Sequence, residues 1–225
     1  MIPQLPQFVN IVFGIIVLIS LAVFIRASNF NLRVILILGF WIVIQSLASL
    51  LGFYLETSGF PPRFILLLLP PVLLILCLFL LPVGRVFIDS LDTKRLVLIH
   101  AIRVFVEIVL FWLFIYKMIP INMTFEGQNF DIISGLTTPF IYYFGYAKNK
   151  IHRNILLAWN FICLGLLVNV VINSILSSPF SFQKFGLDQP NIAILYFPFS
   201  LLPAVVVPLV LFSHLVLIRK AFNRK

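Results

Sequence analysis

Charge is scarce in this chain, and acid is scarcer than base. Seven of its 225 residues are Asp or Glu and 16 are Lys or Arg, so 10% of the chain is charged. A water-soluble domain carries about 25%. With 62% hydrophobic residues and a mean hydropathy of +1.14, the composition predicts that the solvent is lipid. Cysteine is nearly absent. Cys77 and Cys163 both fall inside apolar runs, which excludes a disulfide framework and any metal-ligand spacing. No Lys or Arg precedes Arg26, so the basic start of a signal peptide is missing and the first apolar run reads as an uncleaved span. There is no H-E-x-x-H, G-x-S-x-G or P-loop pattern. The net charge of +9 does not predict a nucleic-acid partner, because the basic residues sit in short clusters between apolar runs, where membrane topology needs them.

Long apolar runs are what the chain does have. Seven qualify or come close, at about 8–25, 34–55, 64–83, 96–118, 132–147, 155–176 and 192–218. Lipid forces backbone groups to bond within their own segment, and there is no period-two alternation, so the expected fold is all-α. It is a single seven-helix transmembrane domain over 1–225. The linkers after the odd-numbered runs, together with the tail, hold twelve Lys and Arg, and the even linkers hold three. The positive-inside rule then places the N-terminus outside and the C-terminus in the cytoplasm, in a multi-pass protein of the cell inner membrane.

One stretch interrupts the apolar pattern. Residues 99–112 read IHAIRVFVEIVLFW, with His100, Arg103 and Glu107 spaced i, i+3, i+7 on one helical face. Counted from the cytoplasmic side at 1.5 Å per residue, His100 lies roughly 8 Å in and Glu107 roughly 18 Å in. A charge there is costly in lipid, so the stripe is expected to face the bundle interior, with Arg103 and Glu107 paired at i, i+4. Depth counting puts Gln45, Asn160 and His214 at comparable levels, so a polar cluster of these six residues is a candidate site. The stripe reads equally as a helix-docking device or as a solute or ion site. Haem on His100 and His214 is conceivable from depth alone.

A second unusual stretch, IPINMTFEGQNFDIISGLTTPF at 119–140, reads as an outer loop leading into the fifth run. Glu126 and Asp131 form a candidate cation-attracting pair, and Asp131 or Ser134 a candidate N-cap. Thr137, Thr138 and Pro139 interrupt that run early. This stretch, with HAIRVFVEI, resembles a family of uncharacterised small polytopic membrane proteins of Bacteroidota, a resemblance that covers most of the chain and implies no activity. Residues 192–218 contain no lysine to carry a retinal, and no Pro-Gln pair lies within the runs.

The functional expectation is small-solute or proton-coupled transport, or ligand binding in the bundle. An accessory subunit of a membrane complex and a lipid-modifying enzyme using His100 or the Glu126/Asp131 pair are the alternatives. The expected partners are the lipid bilayer, a small solute or ion, and either a second copy or a membrane-complex subunit.

Overall fold

The computed structural model describes residues 2, 5–57, 59 and 61–223. Among the described residues the chain is helical, with no strand. Helix α1 runs Gln7–Ala27 and α2 Leu32–Leu50. The turn between them places Asn29 and Phe30 at φ +55°, and the Asn31 side chain then accepts the Arg33 N–H to start α2. Helix α3 (Ile65–Leu80) bends by 94° into the short α4 (Pro82–Ser90). Pro82 opens α4, where its missing N–H does no harm. Gly84 permits the bend, since a Cβ there would lie 2.3 Å from the Leu78 carbonyl oxygen.

Helix α5 (Thr93–Ile115) starts at Asp92, whose carboxylate accepts the Lys94 and Arg95 N–H groups at 2.8 and 3.4 Å. It tightens to a 3-10 turn at Ile99–Ala101. Helix α6 is nine α residues, Ile132–Phe140, continued by seven π-helical residues, Ile141–Ala147. Helix α7 runs Arg153–Leu176, and α8 runs Leu202–Asn223 with a π-helical first turn.

Five of these helices, α1, α2, α5, α7 and α8, are long and apolar enough to cross a membrane, and the bent α3–α4 pair makes up to six. The fifth expected segment, 132–147, is helical over that range but only about 24 Å long even at α-helical rise, short of a ~30 Å hydrocarbon core. The helix expected from residue 192 begins ten residues later, because Pro198 and Pro203 hold the preceding chain out of a regular helix.

The centre of the bundle is α5 and α8, whose spanning windows are 61% buried, against 11% for α2. Helix α1 packs on α5, α6 on α5, and α7 on α8, with α3 and α5 also against α8. The molecule is apolar outside and polar within. Leu18 and Phe40 are about two-thirds exposed, whereas His100, Arg103 and Glu107 are 0–2% exposed. That is the polarity expected when the surroundings are lipid.

Prolines inside the helices free carbonyls four residues earlier, and α2 supplies donors for two of them. Pro208 frees the Ala204 carbonyl, and the Trp41 indole N–H donates to it at 2.9 Å. Pro70 frees the Leu66 carbonyl, which the Gln45 amide reaches at 3.5 Å. Trp41 and Gln45 are four apart on one face of α2, so hydrogen bonds help to dock this outermost helix, beside partly buried contacts of Val34, Leu38 and Ile42. Trp41→Phe should therefore lower stability by about 1–3 kcal/mol through an unsatisfied buried carbonyl. The loss should shrink in a Pro208→Ala background, where the residue-208 N–H is restored. A double-mutant cycle of unfolding in detergent measures this, and full additivity of the two changes would exclude the mechanism.

Candidate functional site

The residues of the charged stripe do come together with partners from three other segments, but not in the pairing the spacing suggested. Arg103 does not pair with Glu107. Its guanidinium forms a two-pronged ion pair with Asp131, through Nε to Oδ2 at 2.6 Å and Nη2 to Oδ1, at a separation of 28 residues. Nη2 also donates to the Cys163 carbonyl at 3.0 Å, and Nη1 to His214 Nε2 at 2.9 Å. Four of the five guanidinium N–H groups are thus engaged.

Asp131 reaches this depth because the segment before α6 folds inward instead of capping the bundle. From Pro120 it descends along α7, held by Asn122 Nδ2 to Asn173 Oδ1 at 3.3 Å and by Asn169 Nδ2 to the Gln128 carbonyl at 2.8 Å. Helix α6 then starts beside the middle of α5. Gly135 makes the close crossing feasible, since a Cβ there would sit 2.7 Å from the Val104 backbone nitrogen. Asp131 takes the N-cap position, but its side chain makes no capping hydrogen bond. Asn129 Oδ1 accepts the Asp131 N–H at 3.0 Å, in an Asx turn, which leaves the Asp131 carboxylate free for Arg103.

The proposed Glu126/Asp131 pair therefore does not form a site. Glu126 is exposed and Asp131 is buried against Arg103. Gln45 also lies outside the cluster. Its Oε1 accepts from the Tyr54 hydroxyl, beside α3. Asn160 and His214 lie within it. Because arginine cannot accept, Nε2 of His214 must be the acceptor, so the ring is neutral with its proton on Nδ1. Nδ1 donates to Asn160 Oδ1 at 3.0 Å, and Asn160 Nδ2 passes the chain on to the Leu156 carbonyl at 2.8 Å.

His100 stacks on His214, ring centroids 3.8 Å apart and 23° from parallel, with Trp159 edge-on at 5.7 Å. Neither nitrogen of His100 has a partner among the described residues. These two histidines do not fit a haem. Face-to-face rings leave no place for a macrocycle between them, and both nitrogens of His214 are engaged. Among the described residues no three His, Cys, Asp or Glu gather into a metal-binding group.

Glu107 is 1% exposed and, among the described residues, has no cation within ion-pair distance. Its two oxygens lie 2.7 and 2.8 Å from a single donor, Asn129 Nδ2, which also donates to the Met123 carbonyl at 3.0 Å. One amide hydrogen therefore serves both carboxyl oxygens. Asn129 was invisible to charge-based reading. Its only signal was the alternation Asn129-Phe130-Asp131, which sets two polar side chains on one side of an extended segment.

The arrangement separates two roles. Asp131→Asn leaves a buried guanidinium without its countercharge and should destabilise the protein by about 3–5 kcal/mol. Glu107→Gln keeps an acceptor for Asn129 and should change stability by no more than about 1 kcal/mol. Unfolding of both variants in one detergent at one pH compares them, and the opposite order would make Glu107 the true partner of Arg103.

No curated protein and no solved structure matches this chain. A family model does, over residues 61–222, more than half of the chain, a range that leaves out α1 and α2 and holds His100, Arg103, Glu107, Asn129, Asp131, Asn160 and His214. That model is described as a domain of unknown function, so it adds no activity to the geometry. The chain belongs to this family, the domain of unknown function DUF8737.

Proposed function

We propose that the chain is a multi-pass inner-membrane protein that moves or binds a small solute in a proton-coupled way, with Glu107 as the proton carrier. One observation carries this reading. Glu107 is a fully enclosed carboxyl group with a single shared N–H and, among the described residues, no ion-pair partner, while the Arg103 guanidinium is committed to Asp131. A bare carboxylate in such surroundings is costly, and taking up a proton removes the cost. In this reading the cycle exchanges that proton, and the Arg103–Asp131–His214 array holds the neighbouring helices at a fixed polarity while it does so.

The seven-pass topology, with the N-terminus outside and the C-terminus in the cytoplasm, is part of the same proposal. It is supported by the meeting of basic segments at one end of the bundle. There the Arg95 guanidinium donates to the Arg26 carbonyl, Arg219 lies 3.4 Å from Asp89, and the Lys220 ammonium donates to the Asp89 carbonyl at 3.0 Å. At the opposite end the closure is by neutral hydrogen bonds, with Gln189 Nε2 donating to the Phe114 and Ile119 carbonyls at 3.1 and 2.6 Å.

A second reading, an accessory subunit of a membrane complex, is favoured by α2, whose only buried residues are Gln45 and Ser49. An enzyme working through Glu126 and Asp131 has no shared site to use.

The two readings part in proteoliposomes loaded with a pH-sensitive dye. Under an imposed potassium-diffusion potential, wild type should acidify the lumen faster than empty vesicles. Glu107→Gln should fall to the empty-vesicle rate, and Glu126→Gln should match wild type. A wild-type rate equal to that of empty vesicles would favour the subunit reading.

A further inference from the structure

At the basic end of the bundle, α5, α6, α7 and α8 leave a cavity of about 60 Å³ between them, lined by Thr93, Tyr146, Ile151, Arg153, Leu217 and Lys220 among others. Pockets for drug-sized ligands measure about 300–1,000 Å³, so this one suits a single small group. Its wall is divided by chemistry. Ile151, Leu156 and Leu217 give an apolar side, while Thr93, Arg153 and Lys220 give a donor side.

Lys220 is held in place there. Its ammonium donates to the carbonyls of Asp89 and Leu91, where α4 ends, which fixes the side chain and leaves a third N–H. Each of the nearby acids is shared with an arginine. The Asp89 carboxylate faces Arg219 at 3.4 Å. The Asp92 carboxylate accepts the Lys94 and Arg95 N–H groups and meets Arg95 Nε at 3.3 Å. Arg153, the first residue of α7, is exposed at the rim.

We propose that this cavity binds the phosphate group of an anionic ligand, held by the Lys220 ammonium, the Arg153 guanidinium and the Thr93 hydroxyl. A phosphate presents several acceptor oxygens to such donors, and basic recesses between membrane helices at this face suit lipid headgroups. The ligand chemistry has two sources, the headgroup of an anionic phospholipid or free phosphate. The site is remote from Glu107 and does not depend on the proton-carrier reading.

The test is thermal unfolding of the full chain in detergent. It is titrated with phosphatidylglycerol in mixed micelles, with phosphatidylcholine as the control, and separately with inorganic phosphate against chloride at equal ionic strength. Saturable stabilisation by phosphatidylglycerol alone identifies a lipid headgroup, and stabilisation by inorganic phosphate as well identifies free phosphate as a ligand. Lys220→Gln should weaken the apparent affinity about tenfold, the loss of one charge-assisted contact. Because Lys220 also bonds two carbonyls, the second variant is at Ala221, which also lines the cavity: Ala221→Val narrows it, leaves that ammonium in place and should weaken binding likewise. Equal behaviour of the anionic ligands and their controls, or unaltered affinity in both variants, would overturn the proposal.

Discussion

The ion pair between Arg103 and Asp131 sets the geometry around it. An arginine in the middle of α5 is surrounded by apolar helices, and its charge is tolerable only with a countercharge and with its remaining donors satisfied. Bringing Asp131 in requires the preceding dozen residues to fold down along α7, and it requires α6 to start beside Val104 rather than at the outer end of the bundle. The early start of α6 and the small residue at position 135 go with this contact, and the neutral tautomer of His214 follows from a second one, to Nη1 of the same guanidinium. Arg103 also reaches the α7 backbone and an α8 side chain, so four segments are joined at one guanidinium.

What was legible in the sequence was whatever depends on distance along a helix. The apolar runs marked the long helices. The i, i+3, i+7 spacing put His100, Arg103 and Glu107 on one face, and counting residues from the basic ends placed Asn160 and His214 at the right level to meet them. What was not legible depends on azimuth and on chain reversal. Gln45 has a suitable depth but sits on the side of α2 that faces α3, and nothing in one sequence fixes that rotation. The Arg103–Glu107 pairing was the local solution, four residues apart. The structure uses a partner 28 residues away because the segment EGQNFD, polar enough to pass for a solvated turn, is in part buried.

The same logic accounts for α2. A helix facing lipid over most of its surface gains little from apolar contact with its neighbours, since lipid is as apolar as leucine. Hydrogen bonds to carbonyls that prolines have released are worth more, because those carbonyls have no water to turn to. Trp41 and Gln45 supply such bonds to α8 and α3. The prolines and the polar residues of α2 are thus two halves of one device, and neither half has an evident purpose when read alone.

Glu107 is the residue this scheme does not need. With Arg103 balanced by Asp131, the cluster is neutral without it, and an ionised Glu107 would add an uncompensated negative charge to an enclosed site. If the only task at position 107 were to accept the Asn129 N–H, a glutamine would do it with no such penalty, because its side-chain oxygen occupies the same place. What glutamate adds is the ability to hold a proton and to release it. The case for proton chemistry in this protein therefore rests less on the presence of charge in the membrane, most of which is structurally accounted for, than on the one carboxyl group that the structural account leaves over.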